Sequence, residues 1–75
     1  MIFFIVYLYG LAVTVSGPLA SVEFCEAQKH EFERTIDREW IRGNMPTIDG
    51  RMVTPRDIKT QCERHDLRPR TVFDK

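Results

Sequence analysis

No charged side chain occurs among the first 22 residues of this 75-residue chain; every Lys, Arg, Asp and Glu lies from Glu23 onward. Other absences bound the function. Neither charge sign is in excess, since 11 basic and 11 acidic side chains give a formal net charge of zero. A nucleic-acid binder draws much of its affinity from uncompensated Lys and Arg against phosphate, so the balance argues against that class. Arg68-Pro69-Arg70 is the only basic knot near the end, and it is too small for a phosphate-binding surface. Four glycines stand scattered at positions 10, 17, 43 and 50, which leaves no glycine-rich loop to cradle a phosphate. His30-Glu31 opens a zincin-like string, but Arg34 stands where the second histidine belongs. Nor is the chain long enough to promise a cleft that desolvates paired carboxylates. These gaps argue against catalysis, a resident cofactor and a small-molecule substrate.

What is present is an apolar run, Ile2 to Val15, followed by a charged segment with helical patterning. At about 1.5 Å per residue the run spans roughly 21 Å as a helix, short of a ~30 Å hydrocarbon core. Extending it through Ser16-Gly17-Pro18-Leu19-Ala20 reaches that length, although Gly17-Pro18 makes a poor helix interior. The reading is therefore that residues 1–20 form a signal peptide, cleaved after Ser16 or Ala20, or a retained transmembrane anchor. A buried hydrophobic helix or strand in a soluble complex is the third alternative. Orientation is contested. Lys29, Arg34 and Arg38 follow the run and nothing basic precedes it, which favours a cytoplasmic polar part; the cysteines favour export.

Residues 21–75 read as a small helical domain with a loose tail from about residue 68. Ser21 is an N-cap candidate, Glu23 and Glu26 suit the first turns, and Gly43-Asn44 is a stop. On a helical wheel Val22, Cys25, Phe32, Ile36 and Trp40 fall within roughly 80° of arc, interrupted by Lys29. Glu26, Glu33 and Asp37 lie to one side; Arg34, Arg38 and Arg42 run i, i+4 along the other. Asp49-Gly50 is a two-residue turn signal, compatible with a tiny hairpin or an irregular loop. Thr54-Pro55-Arg56-Asp57 then supplies a cap, a first-position proline and an acid, the start expected of a second helix running to about Asp66. Ile58, Cys62 and His65 would share its inner face. The expected fold is thus mainly α, an apolar signal or anchor helix followed by a helix–turn/hairpin–helix unit.

Cys25 and Cys62 fall on the inner faces of those two helices. A disulfide between them closes a loop of about 37 residues, worth roughly 3–4 kcal/mol in the chain-entropy model. A domain of this size often needs a disulfide, a metal or a partner. Adding His30 and His65 gives a weaker alternative, a zinc set of Cys25, His30, Cys62 and His65; it fails on spacing, because His30 sits about 140° around the helix from Cys25. Trp40 and Ile41, beside Arg34, Arg38 and Arg42, form the candidate surface for a protein partner. The functional expectation is a small exported (periplasmic or extracellular) or membrane-anchored accessory protein that binds another macromolecule and is not an enzyme. The rival is a single-pass structural subunit of a larger membrane or virion-like assembly that keeps its N-terminal helix.

Overall fold

In the computed structural model, which describes residues 1–74, the apolar run folds as two strands rather than a helix. Every residue from Ile2 to Tyr7 is β-branched or aromatic, the side chains that favour a pleated backbone over a helix. Strand β1 (Ile2–Leu8) turns through Tyr9-Gly10 into β2 (Leu11–Leu19). Both turn residues have positive φ, 52° and 81°, the type I′ geometry that matches strand twist. The helix α1 (Val22–Arg42) follows, then a two-residue hairpin of β3 (Thr47–Ile48) and β4 (Arg51–Met52). A single 3-10 turn (Pro55–Asp57) leads into β5 (Ile58–Arg64). The main sheet has the order β2-β1-β5, antiparallel throughout, with β3 and β4 in a separate small sheet.

The expectation of a mainly α protein is therefore corrected to a small α+β fold. The first part of the charge-free stretch has a structural cause: β1 is the central strand and is covered on both faces. Phe3 and Ile5, 0% and 1% exposed, pack with Val15 on one side. Phe4 and Val6 pack on the other with Cys25, Phe32, Ile58 and Leu19. A strand buried on both faces reads as a continuous apolar run, with no alternation to betray it. Among the described residues no helix is long and apolar enough to cross a membrane, which overturns the expected transmembrane helix.

The helix α1 forms where its signals place it. The Ser21 side chain accepts from the Phe24 N–H at 3.1 Å, and Gly43 closes the helix at φ 76°. The second helix does not form. Its starting signal is real, since the Thr54 N–H and hydroxyl donate to Asp57 Oδ2 at 2.9 and 3.1 Å, but it supports only one 3-10 turn. Beyond it the chain enters β5, which pairs with β1 along its whole length. After β5, residues 65–74 run back across the sheet. The His65 ring stacks at a tilt over Phe3, the Arg68 guanidinium donates to the carbonyls of Val15 and Gly17, and the Val72 N–H donates to the Ala12 carbonyl. The segment expected as a loose tail from about residue 68 is tied down at two residues, Arg68 and Val72.

Candidate functional site

Three places on the molecule gather chemistry-bearing side chains. The first is the seam between α1 and β5. Cys25 and Cys62 are joined there by a disulfide, with Cα atoms 6.1 Å apart. The bridge runs helix to strand rather than helix to helix, and it pins α1 over β1 and β5. Beside it lies an open groove of about 370 Å³ between the helix and the outer edge of β5. Phe32, Ile36 and Ile58 supply its apolar lining, and Lys29, Glu33 and Lys59 its charged rim. The Thr60 hydroxyl spans the groove to Glu33 Oε1 at 3.3 Å.

The second is the outward face of α1. Arg34, Arg38, Ile41 and Arg42 line one shallow groove together with Asp37. Ile41 is 84% exposed, an uncommon position for an isoleucine with cations on either side. Arg34 pairs with Glu31 at 3.1 Å, whereas neither Arg38 nor Arg42 has an acidic partner among the described residues. Trp40, expected in the buried stripe, is 41% exposed, and Val22 is exposed as well. Of that stripe only Cys25 is fully buried, with Phe32 packed against the core. Helix α1 therefore rests on the sheet through its N-terminal half and carries its C-terminal half into solvent.

The third cluster escaped sequence reasoning. The Tyr7 hydroxyl donates to Glu63 Oε2 at 2.5 Å, and His65 Nε2 meets Glu63 Oε1 at 2.7 Å. Tyr7 lies on β1, while Glu63 and His65 lie two apart on and just after β5; the register sets Tyr7 opposite Lys59 and Glu63 opposite Phe3, so Tyr7 and Glu63 share a sheet face and their long side chains lean along it to meet. The hydrogen bond to Glu63 pushes the Tyr7 phenol up to about 12, aided by burial and the carboxylate charge. Glu63 is held below the usual carboxylate range by the Tyr7 hydroxyl and then by His65, against an opposing effect of burial. Both shifts carry the groups away from neutrality, opposite to the tuning of a general acid or base. An i, i+2 carboxylate and histidine on an alternating strand is the available signal; the helix expected over Pro55 to Asp66 hides it, because i and i+2 do not share a helix face.

The weak zinc set is not assembled. Both sulfurs are bonded to each other, His30 is exposed on α1, and His65 is engaged by Glu63. Among the described residues no group of three or more His, Cys, Asp and Glu side chains is arranged to hold a metal ion. A fourth, smaller arrangement braces the turns. The Arg51 guanidinium lies 4.9 Å over the Tyr9 ring and 3.6 Å from Asp57, tying the β3–β4 hairpin to the β1–β2 turn. Asp57 is held low chiefly by the Thr54 N–H.

No protein-family model matches the chain, and no curated protein or solved structure is significantly similar to it.

Proposed function

We propose that this protein is a disulfide-stapled accessory module, exported to an oxidising compartment, that acts by binding a protein partner and not by catalysis. The observation that carries the reading is the outward face of α1. An almost fully exposed Ile41 sits beside Arg38 and Arg42, neither of which has an acidic partner among the described residues. Exposed apolar surface with arginine around it has the composition of an interface hot spot. The partner that fits is a protein surface with an apolar pocket rimmed by Asp and Glu. Arg42 in the last turn is also favoured by the helix dipole, which accounts for that residue but not for Arg38 or Ile41.

The oxidising compartment is supported by the Cys25–Cys62 bridge. Burial in the sheet accounts for the β1 part of the apolar run, Ile2 to Leu8, so that part no longer bears on address. Catalysis is disfavoured by the Tyr7–Glu63–His65 cluster, whose carboxylate already has both oxygens engaged and lies beside no activated nucleophile.

Photo-crosslinking in the native host tests the reading. A photoreactive amino acid at position 41 should give one discrete adduct, absent when the same probe replaces Glu26 on another part of the exposed helix surface. Combining it with Arg38→Glu and Arg42→Glu should abolish the adduct. No adduct above the Glu26 control would refute the binding face.

A further inference from the structure

We infer that the open edge of β5 pairs antiparallel with β5 of a second copy of this chain, with Lys59 opposite Glu63, making a continuous six-stranded sheet. This goes beyond the reading above and uses a different surface.

The two sheet edges are treated differently. The outer edge of β2 is blocked three times over: Pro18 has no N–H to offer, Arg68 occupies the Val15 and Gly17 carbonyls, and Val72 occupies that of Ala12. These are the usual protections against edge-to-edge pairing. The outer edge of β5 lacks all three, and its only protection is the charged side chains Lys59, Glu63 and Arg64. It pairs only with β1, and none of the remaining backbone hydrogen bonds among the described residues comes from its far side, apart from the Ile58 N–H to Pro55 in the preceding turn.

The phase of the ladder identifies the free groups. The Tyr9 N–H donates to Asp57 and the His65 N–H to Met1, so odd-numbered residues of β5 turn their backbone toward β1. Alternation then turns Ile58, Thr60, Cys62 and Arg64 outward. A second β5 must present its own even-numbered residues, which restricts the two-fold registers to a short set. Centred on Gln61, the register sets Lys59 against Glu63 of the copy twice over, as a further partner for the carboxylate that Tyr7 and His65 already contact, with Gln61 against Gln61 on the axis. These fall in non-hydrogen-bonded pairs, where side chains approach most closely. Shifted to centre on Thr60, it opposes Asp57 to Glu63; centred on Lys59 or Glu63, it opposes identical charges. Centred on Cys62, it places Lys59 against His65 and gains no ion pair. The sequence Ile58-Lys59-Thr60-Gln61-Cys62-Glu63-Arg64 is thus charge-complementary to itself in one register. In that arrangement both α1 helices lie on one face of the joined sheet, and the open side of each groove is closed by the other copy.

Sedimentation of the full disulfide-bonded chain over a range of concentrations, with zero-length carbodiimide coupling, tests this. A dimer is expected, with an amide linkage between Lys59 and Glu63. Within one chain those residues are four apart on a strand, about 13 Å, so a zero-length linkage can only join two copies. Lys59→Glu, which replaces both attractive pairs by repulsive ones, should weaken association about tenfold or more. Thr60→Pro should abolish it by removing an outward N–H; should that variant not fold, Lys59→Glu decides. A monomer at every concentration overturns the inference, as does a monomer that takes an extended segment of another protein on this edge. So does a dimer lacking the Lys59–Glu63 linkage and indifferent to Lys59→Glu.

Discussion

Reducing the Cys25–Cys62 bridge should lower the melting temperature of this protein steeply. The sequence separation is 37 residues. With that loop the chain-entropy relation gives about 13 cal/mol/K of denatured-state entropy removed, or roughly 4 kcal/mol at 25 °C. Small domains have total stabilities of about 5–15 kcal/mol, so the bridge carries a large share of the whole. At about 4–8 °C per kcal/mol for chains of this size, the expected drop is roughly 15–30 °C. The position of the bridge adds to the argument. Apart from the groove and the Thr60–Glu33 hydrogen bond, α1 is held to the sheet chiefly through Cys25, Phe32 and their neighbours. Without the covalent tie the helix depends on that small contact alone. The assay is thermal unfolding followed by circular dichroism, on oxidised protein and on Cys25→Ala/Cys62→Ala, with thiol counting to establish the starting state. Melting temperatures within a few degrees of each other would refute the reasoning, showing that the sheet and helix hold together by packing.

Three further outcomes follow from the same contacts. Phe3→Ala empties a fully buried site in the central strand and should cost about 3–5 kcal/mol in urea unfolding. A chain beginning at Ser21 lacks β1 and β2, leaving β5 unpaired, and should show no cooperative unfolding; a cooperative melt from that fragment would show that the sheet is dispensable. The Tyr7–Glu63 pair gives stability two pH limits. Glu63, with its folded pKa depressed, contributes above its unfolded pKa, and that contribution is lost as pH falls through the lower folded value. Tyr7, with its folded pKa raised from 10 to about 12, contributes below pH 10 and loses it between there and 12. In Tyr7→Phe the alkaline loss should vanish and the Glu63 pKa, followed by NMR, should rise; an unchanged Glu63 would mean the hydroxyl does not hold it.

Helix α1 was legible from end to end because its signals are local: Ser21 caps, Gly43 adopts the left-handed conformation, and the residues between keep a 3.6-residue period. Asp49-Gly50, with φ of 54° and 76°, was legible for the same reason. The cysteine pairing was legible although the architecture around it was not, because the bridge depends only on both residues facing one core. The β5 segment misleads by arithmetic. Ile58 and Cys62 are four residues apart, a spacing that returns to the same face in a helix and in a strand alike. Thr60 and Arg64 complete a period of two, and the Thr54–Asp57 cap pointed the other way with a signal good for a single turn. Only the partner strand resolves the tie, and pairing with β1 is invisible to any local window.

The N-terminal run is the deeper case. Its lack of charge points to an address because soluble sheets usually alternate, and alternation marks the wet face of a strand. Here β1 has no wet face: β2 and β5 take its edges, α1 covers Phe4 and Val6, and on the other side Ile5 packs with Phe3 and Val15 while the His65 ring stacks on Phe3. Burial on both sides demands the same composition that a membrane demands, and length alone separates them weakly. Composition does carry one discriminating clue. A membrane helix has no need of the β-branched and aromatic residues that fill Ile2–Tyr7, nor of Tyr9-Gly10 in its middle. Together those two features describe a hairpin.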